Sequence, residues 1–517
     1  MNFVEAMHNE ILDDYNESVT ENGAIGYRTT GKELLDLNFA VASLRSASEE
    51  EIWEKFRRAF YENKVLAMKW LFFARDVRGG LGERRLFRAV MKHLAVEEPH
   101  MVHQLIPLVA EYGRYDDLLC LLDNEWFIQP VGDMFIKQIS DDTMDMKEGK
   151  PVSLLAKWLP SENASSRETK RYAKILREHF MMSSRAYRKM LSALRAYLNI
   201  VETKMSANQW GEINYEAVPS RANLIYNSAF LRNDEDRRRQ YLAKLEKGEA
   251  KINAGVLYPH DIVHKYYNGR WRGLGSYDSA IEALWKALPD TVNGCGNTIV
   301  VADGSGSMET PVGNGGVTAL EVANALAIYF AERSSGQFKD KYITFSMRPQ
   351  LVNLGNGSLR DKLQIAGSHS ECANTNIEAV FDLILNTAIR NHMAQEDIPA
   401  NILIISDMEF DGCAMYGQYD PNSWTGGGKR VNQSLFKTIE QKYRAAGYKL
   451  PRLVFWNVNS RTCTIPVREN ELGVALVSGF SVNICKMVMS GKADPFECLL
   501  EAINTERYQP IEDLLKA

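Results

Sequence analysis

Along residues 31–290, apolar positions recur every three or four residues, and this pattern predicts helix after helix joined by short connections. Residues 50–63, 64–75, 83–93, 167–180 and 185–203 all carry it. The two-residue alternation of a half-buried strand is hard to find in this stretch. An all-α region follows, arranged either as a solenoid or ring of stacked helix pairs or as an irregular bundle. Residues 1–30 have little pattern and read as a loose N-terminal segment.

The rhythm changes at the glycine-bearing linker Thr291-Val-Asn-Gly294-Cys-Gly296-Asn297. Beyond it short apolar runs alternate with helical periods. Strands are predicted at 298–302, 342–345, 402–406, 453–456 and 474–477, and helices at 319–334, 377–390, 433–446 and 482–489. Runs such as Ile402-Leu-Ile-Ile405 are apolar throughout, which implies burial on both faces and a parallel sheet between helix layers. The expected organisation is multidomain: 1–30, an α-helical domain over 31–290, and a doubly wound α/β domain over 291–517 with a C-terminal helix.

The first strand of that domain runs Thr298-Ile-Val-Val-Ala-Asp303-Gly-Ser305-Gly-Ser307. A buried strand that ends in a carboxylate and then two hydroxyls at alternate positions sends polar groups into the crevice beyond the strand ends. The glycines Gly304 and Gly306 are expected to let the backbone bend so that the three side chains converge. A turn that merely caps the next helix uses the same residue types. Two further segments add to the set: Asn374-Thr375-Asn376 before a helix, and Ile402-Leu-Ile-Ile-Ser406-Asp407 ending another buried strand. Together Asp303, Ser305, Ser307, Thr375 and Asp407 form an all-oxygen group that suits Mg2+ retaining some of its waters, or another divalent cation such as Mn2+ or Ca2+. One coordination position would stay open to a partner's carboxylate or phosphate.

Other chemistries fit these loops less well. A phosphoaspartyl enzyme would carry a second acid at Ser305, and a nucleophile elbow would carry glycine at Asp303. A dinucleotide fingerprint would carry glycine at Glu309. Gly26-Tyr-Arg-Thr-Thr-Gly31-Lys32-Glu33 nearly spells a phosphate loop, yet Glu33 stands where the magnesium-binding hydroxyl belongs, so it reads as a turn into a helix and no nucleotide cofactor is expected. His260 and His264 lie one turn apart without an intervening glutamate and read as structural. His369 is a weak candidate base. The expectation is binding rather than catalysis, an undetected hydrolase being the remaining alternative.

A length of 517 residues exceeds one core, and 45% hydrophobic with 25% charged residues is ordinary for a folded chain. No apolar run is long enough to span a bilayer, and Met1 to Glu21 is too acidic for a secretory signal, so a cytoplasmic location is expected. Seven scattered cysteines without a C-x-x-C pair argue against a disulfide framework and a zinc site.

The formal charge of -5 conceals local excess: residues 151–200 hold 10 Lys+Arg against 3 Asp+Glu. Two segments carry it. Arg75-Asp-Val-Arg78-Gly-Gly-Leu-Gly82-Glu-Arg84-Arg85 is a glycine-rich basic turn, able to cradle phosphate or simply to end one helix and start the next. Arg167, Lys170, Arg171, Lys174 and Arg177, continued by Arg185, Arg188, Lys189 and Arg195, form a helical stripe interleaved with Tyr172, Tyr187 and Tyr197. Such a stripe tracks a nucleic-acid backbone, and it is equally the form of a solvated helix face.

With these residues in view, the second half resembles a von Willebrand factor A domain with a metal-ion-dependent adhesion site (MIDAS). The resemblance implies that Ser305, Ser307 and Thr375 are direct hydroxyl ligands and that Asp303 and Asp407 bind directly or through water. Glu409 and Asp411, just beyond, are not assigned as ligands. The whole chain resembles the family DUF2828, on the segments 75–84, 218–223, 229–232, 374–376, 380–384, 406–410 and 506–510. More distantly its layout is similar to TROVE proteins of the Ro ribonucleoprotein type, in which a ring of HEAT-like repeats is closed by an A domain and holds RNA. That likeness implies a non-enzymatic RNA-binding protein using Arg75, Arg78, Arg84, Arg85 and the 167–189 stripe. The alternative is a protein-interaction scaffold whose metal grips an acidic side chain.

Overall fold

The computed structural model describes residues 15–516, apart from 24, 268–272, 293–296, 314, 346–347, 371–376, 411–434, 467–472 and 485–493. The chain folds into two compact units that interleave in sequence. One comprises Met1–Ser48, Tyr258–Tyr277 and Asp290–Ala502, the other Glu49–Leu257, Asp278–Pro289 and Ile503–Ala517. The three consecutive segments suggested by the pattern describe the order along the chain, and these units describe how its parts pack. Periodicity tells that a helix has an apolar face but not which element will cover it.

The second unit is helical. Glu49–Glu62, Lys64–Arg75, Arg84–Glu97 and Arg167–His179 correspond to predicted periods, and Pro99–Tyr112 and Ile128–Lys147 are further helices between them. The expected helix over 185–203 is two: Ser184–Tyr197 and Val201–Ser206. The break falls at Asn199, whose φ of 52° is the left-handed conformation that ends helices. Helices start where side chains accept the unpaired amides, as Asn63 does from Leu66 and Ser183 from Ala186. The C-terminal helix Gln509–Lys516 belongs to this unit. It is tied by the buried Lys69, whose Nζ lies 2.9 Å from Glu512 Oε2 and donates to Asn504 Oδ1 at 2.8 Å.

The other unit is built on a six-stranded sheet. A short hairpin, β1 (Glu17–Val19) and β2 (Ile25–Tyr27), precedes β3 (Thr298–Asp303), β4 (Lys341–Phe345), β5 (Leu351–Asn353), β6 (Asn401–Ser406), β7 (Arg452–Asn457) and β8 (Val474–Ser478). The sheet order is β5-β4-β3-β6-β7-β8, parallel except for the antiparallel edge strand β5. β3, β6, β7 and β8 are buried along almost their whole length, and a fully buried Ile, Leu or Phe contributes about 1.5–3 kcal/mol. The doubly wound α/β architecture is thus as expected. β5, too short to leave a pattern, and the helix Leu359–Ser368 are additions. Of the helix predicted at 482–489, residues Val482–Ile484 form a 3-10 turn and the rest lie outside the described residues.

The N-terminal segment is not loose where it is described. Tyr27 and Ile465 exchange backbone hydrogen bonds at 2.8 Å in both directions, and a Cβ on Gly26 would lie 2.7 Å from the Ile465 carbonyl oxygen. The phosphate-loop lookalike is therefore a hairpin strand and a turn, followed by the helix Glu33–Leu44. That helix is buried on most of its surface and takes its place in the sheet unit: Asn457 Nδ2 donates to the Phe39 carbonyl at 2.8 Å, and the Ala42 amide donates to Ser478 Oγ at 3.0 Å.

Candidate metal centre and the basic helices

β3 and β6 are neighbours, yet the strand that follows β3 in the chain, β4, lies on its other side. This is the switch point of a doubly wound sheet, where the connections leave in opposite directions and open a crevice at the carboxyl ends of the strands. Asp303 closes β3 and Asp407 follows β6 directly, so both carboxylates arrive at that crevice.

Local hydrogen bonds hold them there. Asp303 Oδ1 accepts from the Ser305 amide at 2.9 Å, an Asx turn that starts the 3-10 segment Gly306–Glu309. Ser305 Oγ and Ser307 Oγ lie 2.9 Å apart. Neither Gly304 nor Gly306 has a left-handed φ, so the bend does not depend on glycine conformation as expected. Gly304 instead leaves room for Ser370, whose Cα would lie 3.3 Å from an added Cβ, and Gly306 faces open space. On the β6 side, Met408 has φ 64°, a conformation costing about 1–2 kcal/mol for a residue with a side chain. Its amide donates to Ser406 Oγ at 3.0 Å, and that hydroxyl donates to Asp303 Oδ2 at 2.7 Å. Ser406 is a connecting residue that the sequence pattern did not single out.

Asp303 and Asp407 are 0% and 1% exposed. Burial, and for Asp303 the charge of Asp407, raise both carboxyl pKa values, against hydrogen bonds to Asp303 from Ser406 and Ser305 and to Asp407 from Ser307 and the Glu409 amide. Two desolvated acids that repel one another, with two hydroxyl oxygens alongside, are a donor set that a hard divalent cation relieves. Among the described residues no group of three or more His, Cys, Asp or Glu is placed to hold a metal, so the chemistry here is that of two acids and hydroxyls. Thr375 lies outside the described residues, as does Asp411. His369 turns Nδ1 toward the Ile365 carbonyl at 2.9 Å.

The rim is built from the loop after β7 and the hairpin turn. Asn457 Oδ1 accepts from the amides of Asn459 and Ser460, which launches the loop. Buried Glu409 then staples it: Oε1 accepts from the amides of Arg461 and Thr462 at 2.8 and 2.9 Å, and Oε2 from the Glu21 amide at 2.9 Å. Glu409 is thereby occupied as an anchor. Arg461 points its NH2 to 2.5 Å from Glu21 Oε2 and 3.5 Å from Asp407 Oδ2. Nothing in the spacing of the sequence signals that residues 21, 409 and 461 meet.

The basic residues behave differently. Arg75 is 2% exposed and paired with Asp117 at 2.6 Å, which also accepts from Arg88 Nε at 2.7 Å. The glycine turn beyond it folds around Asp76, whose carboxylate takes the Arg507 guanidinium, the Tyr508 hydroxyl and the Arg78 amide. A Cβ on Gly80 would fall 1.9 Å from the Phe73 carbonyl oxygen, so this turn is a packing node of the helical unit and Arg75 is closed to a ligand. Arg78, Arg84 and Arg85 are exposed, and Arg78 NH1 reaches the Glu111 carbonyl at 3.5 Å. Arg84 is exposed as a residue, yet neighbouring protein desolvates its guanidinium, and this with the charges of Arg114 and Arg88 lowers its pKa.

In the stripe, Arg171 is paired with Asp123, Lys174 lies 3.9 Å from Glu178, Arg177 is paired with Glu162 at 3.1 Å, and Arg195 donates to the carbonyls of Ala156 and Leu159. Arg167, Lys170, Arg185, Arg188 and Lys189 stand exposed on Arg167–His179 and Ser184–Tyr197. Tyr172 and Tyr187 are buried, so of the three interleaved tyrosines only Tyr197, at 38% exposure, faces solvent enough to stack.

Residues 125–297 match the family model described as DUF2828, a domain of unknown function, and residues 297–509 match DUF7788, also a domain of unknown function. The DUF2828 resemblance thus holds, over the helical stretch rather than from end to end. An uncharacterized protein of Acanthamoeba polyphaga mimivirus is 29% identical over 535 residues, spanning 96% of this chain and 89% of its own. The crystal structure of the Ro (RSR) protein of Deinococcus radiodurans is similar at 15% identity with a TM-score of 0.43, over 91% of this chain and 99% of its own.

Proposed function

We propose that this chain is a non-enzymatic binding protein whose sheet unit takes up Mg2+, or Mn2+ or Ca2+ in its place, and presents the cation to an acidic side chain of a protein partner. The observation behind this reading is the convergence of two buried, mutually repelling carboxylates, Asp303 and Asp407, with the hydroxyls of Ser305 and Ser307 at the sheet switch point. Thr375 joins the set by its place in the sequence. The bound cation would neutralise the pair and keep a position for an outside oxygen. Among the described residues no general base accompanies the set, which favours holding over turnover. Isothermal calorimetry of the whole chain with MgCl2 tests it: a saturable heat, lost in Asp303→Ala/Asp407→Ala, is expected, and a flat titration of the wild type overturns it.

RNA binding by the helical unit is the second reading. It is favoured by the exposed cations Arg167, Lys170, Arg185, Arg188 and Lys189 on consecutive helices. It comes second because Arg75, Arg171 and Arg177 already have carboxylate partners and two of the three tyrosines are buried. Filter binding of structured and single-stranded RNA at two salt concentrations should show affinity that falls with salt. Absence of binding at low salt removes this reading.

A further inference from the structure

We propose that Arg461 is a built-in counter-cation of the sheet-edge site, competing with the divalent ion for Asp407, and that Glu21 on the N-terminal hairpin sets how strongly it competes. The inference rests on the metal-site reading above and adds a regulator to it.

The geometry is specific. The Arg461 backbone is held by the Glu409 carboxylate, which also takes the hydroxyl of Thr462 at 3.0 Å, so the start of this side chain cannot wander. Its guanidinium is shared unequally between two acids: Glu21 at 2.5 Å, whose side chain is 54% exposed, and the buried Asp407 at 3.5 Å. The Glu21 backbone is fastened independently of its side chain. Its amide donates to Glu409 Oε2, Asn22 Nδ2 donates to the Glu409 carbonyl at 2.7 Å, and Thr20 Oγ1 donates to the Phe410 carbonyl at 2.6 Å. The hairpin turn and the segment that carries Asp407 are therefore one hydrogen-bonded piece, with the Glu21 carboxylate free to draw the guanidinium outward.

A buried carboxylate gains when any cation approaches, and a guanidinium and a metal ion cannot both neutralise the same oxygen without repelling each other. Arg461 is thus a partial substitute for the metal. Glu21 holds it at a distance that weakens this substitution. Removing Arg461 frees Asp407 for the ion. Removing the Glu21 carboxylate leaves Asp407 as the guanidinium's nearer acid and draws it inward.

The two substitutions consequently act in opposite directions, which a purely structural role for either residue would not produce. Mg2+ affinity of the full-length chain is measured by calorimetry for the wild type, Arg461→Ala, Arg461→Gln, Glu21→Ala and the double variant Glu21→Ala/Arg461→Ala, with circular dichroism to confirm folding. Binding is expected to tighten by on the order of tenfold in both Arg461 variants and to weaken severalfold in Glu21→Ala. The double variant should match Arg461→Ala, because Glu21 acts only through the arginine. Arg461→Gln preserves most of the side chain's length should the alanine variant fold poorly. If the Arg461 and Glu21 variants shift affinity in the same direction, or none shifts it, the counter-cation role is wrong while the metal site stands. If the wild type takes up no Mg2+, the metal-site reading fails and this inference falls with it.

Discussion

The sheet edge and the basic helices spend charge in opposite ways. At the sheet edge, two carboxylates are driven together and out of water by buried strands, and the molecule leaves them repelling one another with a guanidinium at arm's length. On the helices at 167–197, many cations sit in water, and several, the exposed Arg171 among them, are already answered by Asp123, Glu162 or backbone carbonyls. Density of like charge in the sequence is therefore a poor guide to a site. Solvated charges are individually inexpensive and interact weakly, whereas a desolvated pair stays only where something else holds it or binds it.

A buried ion pair should show the difference most strongly. Asp117→Ala strips Arg75 of its carboxylate and should cost about 3–5 kcal/mol of stability in urea unfolding of the helical unit. A loss below about 1 kcal/mol would mean that Arg75 finds water, and the contrast between buried and solvated charge would collapse. The next effect has the reverse sign. Asp303→Asn relieves the repulsion and should raise the Mg2+-free stability by about 1–2 kcal/mol. It should also abolish the Mg2+-dependent gain, about 2.7 kcal/mol at a hundredfold excess over Kd. Lower stability in the Mg2+-free variant would show that Asp303 is held for its hydrogen bonds to Ser406 and Ser305.

Charge reversal on the solvated face, Lys170→Glu/Arg188→Glu/Lys189→Glu, should leave stability within about 0.5 kcal/mol per substitution. RNA affinity at low salt should nevertheless fall and its salt dependence flatten. Unchanged RNA affinity would leave that face merely solvated. The smallest effect concerns His264, whose Nδ1 lies 2.6 Å from Glu321 Oε2. The hydrogen bond to Glu321 raises its pKa above 6.5, against partial burial and Lys265. The protonated form is the one favoured by folding, so this contribution is full below 6.5 and is lost as pH rises through the higher folded value. Thermal unfolding between pH 6 and 8 should show His264→Gln with a shallower decline than the wild type, and parallel curves would assign the decline elsewhere.

Much of the fold was legible because periodicity survives whatever surrounds it. The helices at 49–62, 64–75 and 167–179 and the buried strands β3, β6 and β7 lie within a residue or two of their predicted bounds. Asp303, Ser305, Ser307 and Asp407 were legible for a related reason: each sits on or just beyond a buried strand, so the strand announces where the side chain will arrive. β5 was not, since three residues hold too short a pattern. The role of Arg75 was not either, because an arginine that pairs with a residue 42 positions away looks in sequence like one bound for solvent.

Local spacing in the sequence was enough for most of the helices, for the parallel strands and for the candidate ligands on their ends. It took the tertiary structure to show that the described residues of 15–48 pack with the sheet unit and 503–516 with the helical one, that the glycine-rich turn is a packing node, and that Glu21, Glu409 and Arg461 close around Asp407. The physical reason is one of range: hydrogen-bond and ion-pair partners are chosen by proximity after the chain has collapsed, and residues separated by hundreds of positions leave no common period in the sequence to betray their meeting.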